Sequence, residues 1–433
     1  MLKITFMGAG STVFAKNVLG DVMLTPAVRD CIIALYDIDI KRLEESYNML
    51  CTINSNCNES RAKIIKYTDR KKALKDAKYV VNAIQVGGYD PCTIIDFEVP
   101  KKYGLKQTIG DTLGIGGIFR ALRTIPVLFD FASDMQQVCP NAWLLNYTNP
   151  MAMITGAMQR YTGVNTVGLC HSVQVCSESL LKGVGLNAEG VVDKIAGINH
   201  MAWLLEIKDK DGNDLYPRIK ELANEKTEKH DNMVRFEIMK HFGYYVTESS
   251  EHNAEYMPYW IKNTHPELIE RFNIPLDEYP RRCINQIADW EKQGEKLTND
   301  KTLTHKRTRE YASYIMEAMQ TNKPISIGAN VINTGIIPNL PSEACVEVPC
   351  LVDANGITPC YVGKLPEQLA ALNRTNINPQ LLTIEAAVTL KKENIYYAAM
   401  LDPHTSSELS IDEIKALCDD LIEAHGDWLP KYN

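Results

Sequence analysis

The stretch Lys3-Ile-Thr-Phe-Met-Gly-Ala-Gly-Ser-Thr-Val13 decides the fold of this chain. Its first five residues predict a strand, and a segment with helical spacing follows the two glycines, Gly8 and Gly10. Glycines in such a turn let backbone N–H groups approach a pyrophosphate at the helix N-terminus. We therefore expect these glycines, together with Ser11 and Thr12, to bind a dinucleotide. A valine replaces the third glycine of the usual fingerprint, so the alternative is a plain strand-to-helix turn.

Short apolar runs alternate with helical segments through residues 1–200. The runs that predict further strands are residues 31–36, 77–85, 142–146, 166–169 and 194–197. Segments with helical spacing lie between them, at residues 40–53 and 117–138. Strand and helix in alternation are typical of a parallel sheet with helices on both faces. We therefore predict an α/β fold with a Rossmann-type NAD-binding domain over residues 1–200.

Asp37 ends the second predicted strand, in the sequence Leu35-Tyr-Asp-Ile-Asp39. A carboxylate at this point can accept hydrogen bonds from both ribose hydroxyls of NAD, and it would repel the 2′-phosphate of NADP. NAD is therefore the expected cofactor. The alternative for Asp37 is a helix N-cap in the turn between the strand and the next helix.

The pattern changes after residue 200. A strand at residues 202–207 is followed by a turn sequence at 208–213, and charged helices follow over 215–241. Further helices are predicted at residues 384–401 and 411–425, and an exposed helix or loop at 289–300. The sequence shows neither an internal repeat nor a low-complexity linker. We therefore predict a C-terminal α+β domain, residues 201–433, that packs against the first.

Composition narrows the classes of partner. The 433-residue chain has 46 basic and 54 acidic residues and a net charge of −8, which argues against nucleic acid, because backbone phosphates require a basic surface. No stretch is long and apolar enough to span a bilayer, and the first residues lack the apolar segment of a signal peptide. The 12 cysteines include no CxxC pair, so we expect reduced and mostly buried thiols. These features predict a cytoplasmic protein without a membrane partner.

Two predicted strands end in potential metal ligands. Cys170 and His171 follow the strand at residues 166–169, and His200 follows residues 194–199. A thiolate and an imidazole that arrive from adjacent strand ends can hold a divalent ion. Two ligands so far apart in sequence are no metal signature, however, and a lone buried cysteine or histidine is more often structural.

Asn149 lies in the sequence Asn146-Tyr-Thr-Asn-Pro150, at the end of another predicted strand. Open α/β sheets bind ligands beyond the carboxyl ends of their strands, so the Asn149 amide is a candidate for binding a sugar hydroxyl or the nicotinamide ribose. The alternative is that Asn149 caps the helix that begins near Pro150.

Residues 243–256 form a segment dense in titratable side chains. Its candidates for bases, metal ligands or caps are Glu248, Glu251, His252, Glu255 and Tyr256. A charged surface loop has the same composition. Tyr256 also has the helical spacing of a core aromatic with Tyr259 and Trp260.

Taken together, these motifs resemble glycoside hydrolase family four, the NAD- and manganese-dependent glycosidases, over essentially the whole chain. The motifs that carry the resemblance are residues 8–11 (Gly-Ala-Gly-Ser), 111–117 (Asp-Thr-Leu-Gly-Ile-Gly-Gly), 121–126 (Ala-Leu-Arg-Thr-Ile-Pro), 146–150 (Asn-Tyr-Thr-Asn-Pro), 170–173 (Cys-His-Ser-Val), 197–200 (Gly-Ile-Asn-His) and 248–252 (Glu-Ser-Ser-Glu-His). Within the family, Cys-His-Ser-Val resembles the α-galactosidase (melibiase) branch, whereas the phospho-glycosidase branches carry Cys-Asp or Cys-Asn.

The resemblance implies an oxidative route to hydrolysis. A hydride leaves C3 of the sugar for NAD, and a metal that bridges the C2 and C3 oxygens acidifies the proton on C2. A base removes that proton as the C1 leaving group departs, water adds at C1, and the hydride returns, so the net result is hydrolysis with retention. The implied substrate is an α-galactoside such as melibiose, with α-glucosides and α-galacturonides as alternatives, and the implied assembly is a homodimer or homotetramer.

The resemblance also implies roles for matched residues. Cys170 and His200 match the metal ligands, for Mn²⁺, and substrate oxygens would complete the shell of the ion. His171 stands where the phospho branches have an aspartic general acid, and an imidazole can do that job. Tyr256 matches the base, as a phenol that faces the metal and is shifted toward phenolate. The matched substrate contacts are Asn149 and Arg282.

Two other classes of protein share parts of the pattern. A NAD-dependent 2-hydroxy-acid dehydrogenase has the same nucleotide loop and Asn-Pro turn, but it needs a His–Asp pair and a carboxylate-binding arginine, and it gives Cys170 and His200 no role. A nucleotide-bound sensor leaves residues 170–171 and 248–256 unexplained.

Overall fold

The computed structural model describes residues 1–433, apart from the side chain of Gln293. A 12-stranded sheet runs through the chain in the order β3-β2-β1-β4-β5-β6-β10-β11-β7-β8-β9, with β12 paired to β11. The strands are β1 (Leu2–Met7), β2 (Cys31–Tyr36), β3 (Lys63–Tyr67), β4 (Tyr79–Asn82), β5 (Trp143–Asn146), β6 (Asn165–Gly168), β7 (Val192–Ile198), β8 (Met201–Lys208), β9 (Tyr245–Val246), β10 (Ile325–Ile332), β11 (Cys345–Asp353) and β12 (Gly356–Pro359).

Helices connect most of the strands and form the C-terminal region. They are α1 (Thr12–Leu24), α2 (Ile40–Asn58), α3 (Arg70–Leu74), α4 (Ile94–Lys101), α5 (Gly114–Val138), α6 (Met151–Tyr161), α7 (His171–Gly183), α8 (Tyr216–Glu225), α9 (Met233–Phe242), α10 (Ser250–Glu255), α11 (Glu267–Arg271), α12 (Glu278–Asn299), α13 (Tyr311–Thr321), α14 (Glu367–Thr389), α15 (Lys392–Leu401), α16 (Pro403–Glu408) and α17 (Ile411–His425). An irregular turn at Gly88–Thr93 and a 3₁₀ turn at Gly426–Trp428 complete the set.

The first six strands form the parallel half of the sheet, in the order β3-β2-β1-β4-β5-β6. This is the doubly wound order of dinucleotide-binding folds, and it confirms the predicted α/β fold class. The central strands β1 and β4 are almost wholly buried, as in sheets covered on both faces. The strand β3 was not predicted, because lysines flank its two isoleucines and the strand lies at the exposed edge of the sheet.

The second half of the sheet begins where β10 pairs antiparallel with β6. Because β10 and β11 are inserted between β6 and β7, the prediction that Cys170 and His200 follow adjacent strands is wrong. The inserted strands come from residues far along the chain, which local patterns do not reveal. The sheet also continues across residue 200, where β7 and β8 form a hairpin, so the division into domains at that residue stays a prediction.

The helices of the C-terminal region differ in detail from the predicted ones. The segment 384–401 contains the end of α14 and the whole of α15, because Leu390 has a φ of +56° and ends α14. The polar segment 289–300 belongs to the long helix α12. The turn after β8 is present and is organised by Asp209, which accepts backbone hydrogen bonds from Asp211 and Asn213.

The C-terminal helices pack directly on the parallel half: α14 lies against α5 and α6, and α17 against α4. Across the residues that the structure describes, no helix is long and apolar enough to cross a membrane. All 12 cysteines are free thiols, and most of them are buried.

Candidate active site

Two glycines shape the turn after β1. Gly8 has a φ of +86°, and a Cβ atom there would lie 2.7 Å from the carbonyl oxygen of Ala83. At Gly10 a Cβ atom would lie 2.9 Å from Oδ2 of Asp37, and the Gly10 N–H donates to the same oxygen at 2.6 Å. Since neither position has room for a side chain, the backbone of the turn stays accessible at the N-terminus of α1.

Asp37 and Asp39 have separate roles after β2. Asp39 caps α2, and its Oδ1 accepts from the N–H groups of Lys41 and Arg42 at 2.9 and 3.1 Å. Asp37 accepts from the backbone of Gly10 and Asp39 and remains partly exposed beside the loop. The N-cap alternative for Asp37 is therefore wrong, and the expected contact between its carboxylate and the ribose of NAD stays a prediction.

Ser11 and Thr12 lie on different sides of the loop. Ser11 is exposed and precedes the first residue of α1. Thr12 is buried, and its hydroxyl donates to the carbonyl oxygen of Gly10 at 3.2 Å. The Thr12 side chain therefore supports the loop from inside, which leaves only its backbone N–H for a ligand.

A cavity of about 310 Å³ opens beside the glycine loop, at the carboxyl ends of the parallel strands. Open α/β sheets bind their ligands at this edge. The wall residues that matter here are Ser11, Asp111, Arg120, Asn149, Cys170, His171 and Tyr279. The structure thus brings together four predicted site residues from the motifs at 8–11, 146–150 and 170–173, namely Ser11, Asn149, Cys170 and His171.

Cys170, which lines this cavity, forms a group of potential metal ligands with His200 and Glu248. Nε2 of His200 lies 3.3 Å from Sγ of Cys170 and 3.5 Å from Oε2 of Glu248. One donor atom of each residue lies within 4.8 Å of the other two, a separation that suits a divalent transition-metal ion. Glu248 was one of several candidates in residues 243–256, and sequence spacing alone did not single it out.

The backbone is strained at two of these three residues. The φ angles of His200 and Glu248 are +142° and +64°. Positive φ is unfavourable for residues with a Cβ atom and costs on the order of 1–3 kcal/mol each. Such strain persists where the surrounding structure fixes the residue, most often at functional sites. Here both strained residues contribute donor atoms to the same group.

Charge within this group shifts the pKa values of its members. Burial lowers the pKa of His200, but the neighbouring Cys170 sulfur and Glu248 carboxylate outweigh burial and raise that pKa to about 10. Burial raises the pKa of Glu248, but the imidazoles of His252 and His200 outweigh it and lower that pKa to about 2. Without a metal, the protonated imidazole of His200 therefore balances the Glu248 carboxylate. A divalent cation would replace the proton on His200 as the balancing charge.

His171 begins α7 and lines the cavity with a half-exposed side chain. Its Nε2 lies 2.7 Å from Oε2 of the buried Glu310, and its ring stacks on Tyr147 at a centroid distance of 5.9 Å. The hydrogen bond to Glu310 raises the pKa of His171. Sequence reasoning missed Glu310, because no motif or spacing relates it to a residue so far back in the chain.

Asn149 does not cap α6, since the residue that precedes the first turn of that helix is Pro150. Its Nδ2 lies 3.5 Å from Oδ2 of Asp111. Its Oδ1 is buried and has no hydrogen-bond partner in the described part of the chain. A buried polar atom without a partner is costly, so this oxygen is a ready acceptor for a ligand hydroxyl. Asp111 belonged to a motif of the sequence analysis, but nothing there gave it a role.

Tyr256 is fully buried just after α10, with its hydroxyl 3.2 Å from Nδ1 of His200. Burial and the neighbouring Glu255 and Asp111 carboxylates raise the pKa of Tyr256 well above its ordinary value. This is opposite to the predicted shift toward phenolate, because a buried phenolate beside carboxylates is disfavoured. Tyr256 contacts the ring nitrogen of His200 that the Cys170 and Glu248 contacts leave free, which orients the imidazole. Its role as a base stays a prediction.

The structure does not bring Arg282 into the cavity. Its guanidinium forms ion pairs with Glu278 at 2.7 Å and with Glu251 at 2.6 Å, on the exposed side of α12. These two carboxylates hold Arg282 at the surface, away from the residues that line the cavity. The position of Arg282 therefore does not support the prediction that it contacts the substrate. Arg120 does line the cavity, and it donates to the Tyr279 hydroxyl at 3.1 Å.

Two family models match the chain. Residues 3–186 match the Family 4 glycosyl hydrolase model, and residues 195–405 match the model of the Family 4 glycosyl hydrolase C-terminal domain. Together these matches cover most of the chain, including the glycine loop, the cavity walls and all three potential metal ligands.

Individual relatives agree with the family models. An α-galactosidase of Bacillus subtilis (strain 168) is 66% identical over 433 residues and covers 100% of both chains. An α-galactosidase of Rhizobium meliloti (strain 1021) is 34% identical over 451 residues, with 99% of this chain and 89% of the relative covered. A solved 6-phospho-α-glucosidase from gut microorganisms, in complex with NAD and Mn²⁺, has a TM-score of 0.81 at 22% identity, over 100% of each chain. The chain belongs to family 4 of the glycosyl hydrolases.

Proposed function

We propose that this protein is an α-galactosidase that hydrolyses α-galactosides such as melibiose, with retention at C1, and that it depends on NAD and Mn²⁺. The observation that carries the proposal is a shared cavity: Ser11 of the glycine loop and Cys170 of the metal-ligand group both line it. A nucleotide loop beside a metal site is what hydrolysis by oxidation and elimination requires. A 2-hydroxy-acid dehydrogenase would give the metal ligands no role.

The relatives support the sugar. The two whole-length relatives described above, at 66% and 34% identity, are both α-galactosidases. The sequence Cys170-His171 agrees with that branch of the family, since the phospho-glycosidase branches place an aspartate or asparagine after the cysteine.

The residues that would hold the cofactors fit them. The backbone of residues 8–12, with Asp37 beside it, suits the pyrophosphate and ribose of NAD. Cys170, His200 and Glu248 offer sulfur, nitrogen and oxygen donors for the metal. When bound, NAD would accept and return a hydride at C3 of the sugar, and Mn²⁺ would polarise the C2 and C3 oxygens.

The remaining roles belong to side chains of the cavity and its surroundings. His171 gives a proton to the departing oxygen at C1, and the unpaired Oδ1 of Asn149 accepts a sugar hydroxyl. Tyr256 is the proposed base at C2, because its hydroxyl lies beside His200. Asp111 is the second candidate for the base, because it lines the cavity, whereas Tyr256 is fully buried and does not line it.

An α-galacturonidase is a second candidate function. It is favoured by Arg120, because a guanidinium on the cavity wall can bind a uronate carboxylate. Arg120 already donates to Tyr279, however, and a uronate would meet the negative charges of Asp111 and Glu248. A neutral galactoside avoids this repulsion.

The test is hydrolysis of p-nitrophenyl α-galactoside by the reduced protein, after dialysis against EDTA and removal of NAD. We expect activity only when both NAD and Mn²⁺ are restored, and its loss when the Cys170 thiolate is oxidised. Parallel assays with the α-glucoside and the α-galacturonide establish the sugar. Full activity without NAD and metal would refute the mechanism, and a preference for the galacturonide would replace the proposed substrate.

We also propose that the protein acts in the cytoplasm as a homodimer or homotetramer, with residues 1–200 binding NAD and residues 201–433 completing the catalytic site. The free thiols support a reducing compartment. Exposed apolar side chains on α12, Ile284 and Ile287, support an interface between copies. Light scattering of the purified protein measures the assembly, and a monomer at working concentration contradicts this part of the proposal.

A further inference from the structure

We infer that Glu310 is a positioning residue for His171, and that Asp21 fixes Glu310 in place through the segment 300–310, which we call the strap. The strap joins α12 to α13. This inference rests on the proposed function, because it takes His171 as the group that gives a proton to the departing oxygen.

The first observation is the contact between the strap and His171. Glu310, the last residue of the strap, is 8% exposed, and its Oε2 lies 2.7 Å from Nε2 of His171. The imidazole itself is half exposed on the cavity wall, where it stacks on Tyr147 and lies edge-on to Phe14, at centroid distances of 5.9 and 6.2 Å. The bond to Glu310 is the one hydrogen bond that the described part of the chain gives to this ring. A carboxylate on one ring nitrogen fixes the orientation of the ring and leaves the other nitrogen, Nδ1, for the substrate, as in catalytic triads.

The second observation is a set of buried hydrogen bonds between α1 and the strap. Asp21 of α1 is 0% exposed, and its Oδ1 lies 2.7 Å from both Nε2 of His305 and the backbone nitrogen of Thr308. Its Oδ2 accepts from the Thr308 hydroxyl at 2.6 Å, and the same hydroxyl accepts from the Glu310 N–H at 3.2 Å. The carboxylate of Asp21 is therefore linked to Glu310 through a single threonine.

The close packing of α1 against the strap also requires a glycine in α1. A Cβ atom at Gly20 would lie 2.6 Å from the ring of His305, so the strap fits only because α1 has no side chain there. At the strap's beginning, Nδ2 of Asn56 donates to the carbonyl oxygens of Lys301 and Leu303, both at 2.9 Å. The strap is thus held at its beginning by α2, in its middle by α1, and at its end by His171.

The strap therefore contacts both α1, the helix that follows the glycine loop, and His171, the proposed proton donor, so it fixes the two relative to each other. Glu310 makes no contact with substrate or cofactor in this scheme and acts through His171, so its effect should depend on how much the leaving group needs a proton. Nitrophenolate departs readily without protonation, whereas the sugar alkoxide of melibiose does not.

The experiment compares kcat/KM for melibiose and for p-nitrophenyl α-galactoside in the NAD- and Mn²⁺-loaded protein. In Glu310→Ala we expect a loss of about 10²-fold for melibiose, with a loss severalfold smaller for the nitrophenyl substrate. Glu310→Gln keeps an acceptor for the imidazole and should restore part of the melibiose activity. Asp21→Asn should also lose more kcat/KM for melibiose than for the nitrophenyl substrate, but both losses should be smaller than in Glu310→Ala. The matched control is Glu221→Gln on α8, which removes only an exposed ion pair with Arg218, away from the strap, and should change neither rate.

A second arm tests whether the effect passes through His171. His171→Ala should show the same selectivity for the leaving group, and adding Glu310→Ala to it should cause no further loss, because residues that act as a unit are not additive. NAD and Mn²⁺ affinities, measured by calorimetry, should stay unchanged in the Glu310 variants.

Equal losses on both substrates, or additive losses in the double variant, would overturn the inference and make Glu310 a merely structural residue. If Glu310→Ala does not fold, Glu310→Gln decides, and a wild-type ratio of the two kcat/KM values overturns the inference. Failure of the proposed function looks different, because the unmodified protein would then hydrolyse neither galactoside.

Discussion

Sγ of Cys170 and Nε2 of His200 lie 3.3 Å apart, although the two residues are separated by 30 positions in sequence and by two inserted strands in the sheet. Cys170 directly precedes α7, and His200 lies in the strained turn between β7 and β8. Cys170 therefore follows the end of β6 and His200 follows the end of β7, where the backbone is less restricted than inside a strand. Glu248, from the segment just before α10, completes the group of potential metal ligands.

Replacing Cys170 by serine should abolish Mn²⁺ binding and nearly all turnover, but should leave NAD binding intact. The reason is that the metal-ligand group and the glycine loop occupy different parts of the cavity wall. Calorimetric titration with Mn²⁺ and with NAD measures both affinities. The matched control is Cys360→Ser, which changes an exposed thiol. Normal Mn²⁺ affinity in the Cys170 variant would refute its assignment as a ligand.

Glu248→Gln should weaken Mn²⁺ binding by at least about 10-fold, because even residues that only support metal ligands usually contribute that much. The structure places Oε2 of Glu248 3.5 Å from Nε2 of His200, so a neutral amide removes a negative donor from the group. Glu267→Gln, on the exposed helix α11, is the control with the same chemical change. Equal Mn²⁺ affinities in the two variants would show that Glu248 is not a ligand.

Asp37→Ala should raise the NAD dissociation constant roughly 10- to 100-fold, which corresponds to the loss of about 1.5–3 kcal/mol of charge-assisted hydrogen bonding. The matched control is Asp39→Ala, two residues away. It removes the N-cap of α2 and should lower thermal stability, by about 1 kcal/mol in free energy of unfolding, with little change in NAD affinity. The reverse pattern would assign the ribose contact to Asp39.

Elimination predicts exchange at C2 of the sugar. Substrate deuterated at C2 should react more slowly, and product formed in deuterated water should carry deuterium at C2, since a direct displacement leaves that C–H bond intact. Product without deuterium at C2 contradicts the elimination route, whichever residue is the base.

The same assay distinguishes the two candidate bases. Removing a general base commonly costs 10²–10⁴-fold in turnover. If Tyr256 is the base, Tyr256→Phe loses both turnover and C2 exchange, while Mn²⁺ affinity persists. If Tyr256 only orients His200, Tyr256→Phe weakens Mn²⁺ binding, and Asp111→Asn is the variant that loses exchange.

Glu255 predicts a pH-dependent stability. Its buried carboxylate accepts backbone hydrogen bonds from Thr108 and Gly110 at 2.8 and 2.7 Å, and burial raises its pKa to about 7. Because the folded pKa lies above the unfolded value of about 4.3, the contribution of Glu255 is complete below that pH and is lost as the pH rises through 7. The loss is at most on the order of 4 kcal/mol. Thermal unfolding between pH 5 and 8 should show a steeper decline for the unmodified protein than for Glu255→Gln, and parallel profiles contradict the prediction.

Local sequence patterns determined the nucleotide-binding half of this protein. Periodicity and turn chemistry, which act over a few residues, predict the strand and glycine turn at residues 3–13. They also predict the position of Asp37 at the end of the second strand. The predicted strands of this half are present, except that the edge strand β3 was missed because it lacks a continuous apolar run. Family motifs, and not spacing, pointed to Cys170 and His200.

Only the tertiary structure decided how the site is completed. Glu248 and Glu310 reach Cys170, His200 and His171 from segments far apart in the chain, and no local signal encodes such contacts. The same holds for Arg282, which two carboxylates hold at the surface, and for the strands β10 and β11, which are inserted beside β6. The pKa of Tyr256 could not be read from sequence either, because it depends on burial and on the charges that folding places around the phenol. Periodicity and turn chemistry fix elements one at a time, whereas the charges and contacts of the site arise when distant elements pack together.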